Sequence, residues 1–226
     1  MKKDNLRNTF GALLLGCMLG NVATTAHAQK VVFPQQKQAG VAALKAEAQK
    51  FVLSNSLLEA SYSVVDGKLH FDGCSAMDLL PSNDLFSVRL ADCTEFASSD
   101  MKLVSVEGET YTADTKAAKG SERFNGKGVK AVFTRGSIKV EWRAVLRDGS
   151  HYLRTEMSIS SDKDVRMDNI KPMIYAVDNS KAKSAPVVVG NTRGAVLLSN
   201  KIFAGLETPM GVNTAIPVAF LEAWYH

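Results

Sequence analysis

Histidine and cysteine are scarce in this chain, with four and three among 226 residues. Neither a His-x-x-x-His nor a Cys-x-x-Cys pair occurs, so the spacings that hold zinc are missing. His70, His151 and His226 stand far apart, and His27 falls in the N-terminal leader described below. There is no Gly-x-Ser-x-Gly elbow and no phosphate-cradling glycine loop, so serine-hydrolase and nucleotide-binding motifs are excluded. Neither Cys74 nor Cys93 has the basic neighbours that activate a thiol. No cofactor is expected. No apolar run approaches the 18 or so residues that span a bilayer. No Pro-rich or Gly/Ser-rich stretch divides the chain, and no fixed-period repeat appears. Excess charge is small as well, at +4. A nucleic-acid partner would call for a basic stripe, and none is present.

The N-terminus has the form of an export signal. Lys2, Lys3 and Arg7 precede an apolar core from Phe10 to Gly20, and Ala26-His27-Ala28 forms a small-x-small cleavage site. Residues 1–28 are therefore read as a signal peptide, with Gln29 first in the mature chain. A second reading is a lipoprotein box, Leu14-Leu15-Gly16-Cys17, which would put a lipid on Cys17. The good cleavage site downstream favours the first reading. The expected location is periplasmic, cell-surface or extracellular. Cleavage lowers the net charge to +2 and leaves 198 residues, with Cys74 and Cys93 as the remaining cysteines. In an oxidising compartment this pair is a disulfide candidate, and two buried thiols are the alternative.

Beyond the leader the pattern is that of an all-β protein. Residues 29–50 read as an extended lead-in followed by a short helix, since Val41, Leu44, Ala48 and Phe51 lie at helical spacing. From Phe51 onward short strands follow one another. Leu58, Ala60, Tyr62 and Val64 alternate with Glu59, Ser61 and Ser63, and Asp66-Gly67 then predicts a tight hairpin. Glu107-Gly108-Glu109 reads as a second hairpin turn, and Thr115 to Lys127 as a long surface loop. The clearest pair is 138–160. There Ile138, Val140, Trp142, Ala144 and Leu146 share one face, and Leu153, Thr155, Met157 and Ile159 continue it after Asp148-Gly149. Ten or so such strands predict an antiparallel β-sandwich over residues 51–212. Residues 213–226 are expected to open a further segment or domain, and the apolar stretch from Ala215 to Tyr225 to leave an aggregation-prone patch when alone.

Candidate ligand-binding residues come from the least ordinary segments. Arg193, in Gly190-Asn191-Thr192-Arg193-Gly194, and Glu207, before Thr208-Pro209, are candidates for a pair at a domain junction or glycan cleft, with a solvated turn as the alternative. Trp224 and Tyr225 could stack on a ligand or pack on another domain. Glu141 and Glu156, near Arg143 and Arg154, admit two readings: a carboxylate pair flanking a sugar, or a cross-strand ion-pair ladder. Trp142 lies on the apolar side and is expected in the core. No catalytic residue and no metal ligand is assigned.

Phe51-Val52-Leu53-Ser54-Asn55, the run Trp142 to Arg154, and Gly205-Leu206-Glu207-Thr208-Pro209 occur in that order. Together they resemble the N-terminal supersandwich of large exported proteins of Bacteroides-type bacteria. Those are similar to family 101 endo-α-N-acetylgalactosaminidases and α-galactosidase-like glycoside hydrolases, some of them labelled enterotoxin. The resemblance covers about residues 50–212. It implies a galactose-mutarotase-like sandwich ahead of a (β/α)8 barrel whose strand ends would bear the hydrolytic carboxylates. By that resemblance the chain is a non-catalytic, carbohydrate-associated domain whose partners are a glycan or a C-terminal catalytic domain. Two rivals are an autonomous carbohydrate-binding or adhesion module and a mutarotase-like isomerase. The second needs a histidine and carboxylates converging in one cleft, for which His70 and His151 are the available histidines.

Overall fold

A computed structural model describes residues 37–75, 77–178, 186–199, 202–207, 212–216 and 220–225. Residues 1–28, Cys17 among them, and His226 lie outside the described residues. The chain is all-β and antiparallel. β1 (Ala43–Glu47), β2 (Lys50–Ser54), β3 (Glu59–Val65) and β4 (Lys68–Cys74) form a four-stranded meander. β5 (Ser87–Leu90) and β6 (Glu95–Ala97) follow, and then a second meander of β7 (Lys102–Tyr111), β8 (Gly126–Arg135), β9 (Ile138–Arg147) and β10 (Arg154–Ser161). β11 (Met167–Ala176) pairs back onto β5. β12 (Val187–Val189), β13 (Val196–Ser199) and β14 (Ile202–Ala204) make a small three-stranded sheet. β15 (Val212–Ile216) and β16 (Phe220–Tyr225) extend the β11 sheet to the order β15-β16-β11-β5-β6. Residues 213–216 and 220–225, which the sequence reading sets apart from the sandwich, therefore hydrogen-bond into its sheet.

The two meanders pack face to face on a core of aromatic side chains. Trp142 on β9 is fully buried and meets Tyr62 on β3 edge-on, at 5.5 Å between ring centres. Phe133 on β8 meets Phe86 edge-on at 5.3 Å. Edge-to-face contacts of this kind add to the transfer free energy of burying large rings. Ile138, Val140, Trp142, Ala144 and Leu146 are all buried, as their period-2 spacing requires. Asp66 and Gly67 both have positive φ, 52° and 71°, the conformation that a two-residue type I′ hairpin demands.

Two expectations are corrected. The stretch expected to be helical, Gly40 to Lys50, is β1 and a tight turn at Ala48 (φ 47°) leading into β2. All five residues of β1 pair with β2, so the ladder satisfies the backbone while burying Leu53 and Phe51. Val41, which helical spacing would turn inward, is exposed. Glu107-Gly108-Glu109 is no turn either, because β7 runs straight through it and Gly108 pairs with Val129. A Cβ at Gly108 would lie 2.4 Å from Leu44 Cδ2, so this glycine serves close packing against β1. Among the described residues the only helical turns are Ser98–Asp100 and Gly120–Arg123, the latter inside the expected surface loop. No helix among them is long and apolar enough to cross a membrane.

Candidate ligand cavity at the open edge of the sandwich

β10 ends its sheet, and β11 belongs to another. Where these strands diverge, the interior opens to solvent through a cavity of about 640 Å³. Its volume lies within the range of roughly 300–1,000 Å³ typical of small-molecule sites. Alternation along β10 sends Thr155, Met157 and Ile159 into it. β4 contributes Phe71 and Cys74, β11 contributes Ile170, Met173 and Tyr175, and the segment after β4 contributes Met77 and Leu79. The floor is thus apolar. Tyr175 is buried and tilts against Phe71, with ring centres 4.8 Å apart. Burial pushes its phenol above the ordinary value.

The rim is different in kind. Arg154 opens β10, with a side chain only 13% exposed. Its Nη2 meets Glu207 Oε1 at 2.6 Å, and its Nη1 lies 3.6 Å from Glu156 Oε1. Burial works against this cation, but the Glu207 hydrogen bond and the nearby carboxylates outweigh it and raise its pKa above the ordinary value. Among the described residues nothing accepts a hydrogen bond from Arg154 Nε, although that atom is buried. Tyr152 and Phe203 also line the opening, 40% and 63% exposed. Lys119 completes the rim, within 3.6 Å of Glu122.

Glu207 is therefore at the site, but its partner is Arg154. Arg193 lies exposed in the turn between β12 and β13 and does not line the cavity. Trp224 sits on β16 opposite Val212, and its side chain lies outside the described residues. Cys74 is buried and Cys93 is exposed in the turn after β5, with no disulfide between them. His70 Nδ1 lies 2.7 Å from Asn83 Oδ1, and His151 Nε2 lies 3.3 Å from the Lys37 carbonyl. Neither histidine lines the cavity. Glu141 belongs to a ladder with Lys139 (2.8 Å) and Arg143 (3.2 Å), and Arg143 reaches Glu109 at 3.3 Å. Across the strands Glu156 faces Arg143, and Ser158 faces Glu141. This is the cross-strand arrangement in which opposite charges support a sheet face. Among the described residues no cluster of three or more His, Cys, Asp or Glu could hold a metal ion.

Sequence reasoning placed Glu156 and Arg154 on a wet strand face and did not join them to Glu207. Phe203, Tyr152 and the methionine floor were missed, because short apolar strands look alike whether they face a core or a cavity. What the fold and site define is a β-sandwich with an apolar pocket open at one edge, rimmed by two cations, two carboxylates and two aromatic rings. No protein-family model matches this chain, and no curated protein or solved structure does.

Proposed function

We propose that this chain is the carbohydrate-associated β-sandwich of an exported glycoside-hydrolase-like protein, and that it binds a glycan unit without acting on it. The observation that carries the reading is the rim. Phe203 and Tyr152 present exposed rings beside the Arg154–Glu207–Glu156 cluster. A sugar has C–H faces that pack on aromatic rings and hydroxyls that need donors and acceptors side by side. Arg154 donates in a fixed fork, Glu156 and Glu207 accept, and Thr155 does both. No rim group is poised as a nucleophile, and the two carboxylates share one guanidinium, which suits holding better than bond cleavage.

Isothermal titration of the mature chain, from Gln29 onward, with galactose- and N-acetylgalactosamine-containing oligosaccharides tests this reading. Saturable binding that weakens at least about tenfold in Phe203→Ala and in Arg154→Gln is expected, the loss of a stacking or charge-assisted contact. Binding by the chain alone also supports the autonomous-module reading. Absence of binding to every sugar would remove both. Export is checked by the mass of the secreted product: a mature N-terminus at Gln29 is expected, against a lipid-modified Cys17.

A further inference from the structure

We propose that the cavity takes a saccharide carrying a linear apolar substituent, with the alkyl or acyl chain inside the sandwich and the sugar at the rim. This rests on the glycan reading above and narrows its ligand. A plain oligosaccharide accounts for the rim but not for the floor. Below Arg154 the walls are mostly apolar, built from Phe71, Met77, Leu79, Met157, Ile159 and Met173, and the polar atoms among them are those of Cys74, Thr155 and Tyr175. A sugar pushed into that space would leave hydroxyls without partners, which is costly in an apolar surrounding. A flexible hydrocarbon meets no such penalty, and methionines adapt to its shape. The gap between β10 and β11 gives the chain a path from solvent, because among the described residues no strand closes that edge.

The charges at the rim select the head. Arg154 already faces Glu207 and Glu156, and Lys119 lies beside Glu122. A carboxylate or phosphate head would meet two fixed carboxylates and find its cation engaged. A neutral, hydroxyl-rich head meets acceptors in Glu156 and Glu207 and a hydroxyl that both donates and accepts in Thr155. The site therefore separates neutral amphiphiles from fatty acids and phospholipid-like anions.

The test is calorimetric titration of the mature chain with methyl, butyl and octyl galactoside, with octanol and octanoate, all below their micelle concentrations. Affinity is expected to rise about two- to fourfold for each methylene added, the yield of burying hydrocarbon. Octanol and octanoate should each bind at least about tenfold more weakly than octyl galactoside, for want of the rim contacts. In a Cys93→Ser variant, where Cys74 is the remaining thiol, octyl galactoside should slow alkylation of Cys74 and methyl galactoside should not, which places the chain in this cavity. Equal affinity across the three galactosides overturns this inference and leaves the glycan reading standing. Octanol or octanoate binding as tightly as octyl galactoside overturns the role given to the sugar. Failure of every ligand to bind overturns both. Tight octyl galactoside binding with no protection of Cys74 puts the chain elsewhere and also overturns the proposal.

Discussion

Arg154 Nη2 lies 2.6 Å from Glu207 Oε1, and this contact ties the start of β10 to the segment that follows β14. Arg154 is nearly enclosed, whereas Glu207 remains 58% exposed. Solvent therefore screens the pair, and its weight falls on positioning more than on stability. Leu206 lies in that segment and Phe203 just before it in β14, so the ion pair holds one wall of the cavity mouth.

Glu207→Gln is expected to lower unfolding stability by less than about 1 kcal/mol. Hydrogen exchange in residues 203–207 should nevertheless speed up, since the segment loses its charged anchor. A large drop in melting temperature with unchanged local exchange would contradict this assignment.

Close strand packing at the β7–β8–β9 sheet predicts a contrast between two glycines. A Cβ at Gly126 would lie 2.6 Å from the Leu146 carbonyl oxygen and 3.2 Å from Arg147 Cα, both backbone atoms that cannot easily yield. Gly126→Ala should cost about 1–3 kcal/mol. At Gly120 nothing lies within 4 Å of the added carbon. Gly120→Ala should stay within about 0.5 kcal/mol of the parent. Urea midpoints of the two variants decide the matter.

At alkaline pH the core phenol of Tyr62 should limit stability. Burial, followed by the neighbouring Tyr175, holds its pKa well above the ordinary 10.0. The folded state keeps a proton that the unfolded chain gives up, so stability is intact below 10.0 and falls as pH rises beyond it. Tyr62→Phe should move the alkaline unfolding midpoint upward. Phenolate absorbance followed together with circular dichroism tests this, and a Tyr62 phenolate forming in the folded protein would refute it.

The charge ladder on β9 predicts the acid limb. The Lys139 ammonium, with Arg143 and Lys130 beyond it, holds the Glu141 carboxyl below its ordinary 4.5. This contribution is present above 4.5 and is lost as pH falls through the lower folded-state value. Glu141→Gln should flatten the fall of melting temperature below pH 4.5 and leave its slope near neutrality unchanged. Parallel curves for parent and variant would show that the ladder adds nothing.

Local chemistry alone was enough for much of the architecture. Alternation from Ile138 to Leu146 specifies which face of β9 is buried, because a strand's side chains repeat every two residues whatever it packs against. Asp66-Gly67 specifies its hairpin for an equally local reason, the positive φ at both positions. The reading failed where neighbours distant in sequence decide. Gly40 to Lys50 is alanine-rich and begins a helical spacing, yet β2 supplies a complete ladder to Ala43–Glu47 and β1 takes it. Gly108 resembles a turn residue, but Leu44 needs the space its missing side chain leaves. The site depends on such contacts throughout. Glu207 stood out as a carboxylate without an obvious packing purpose, but only the approach of β10 shows that Arg154 is its partner, and only the gap between β10 and β11 turns a row of apolar side chains into a cavity. Periodicity records which way a side chain points; whether it meets another side chain or an open space depends on how the sheets close.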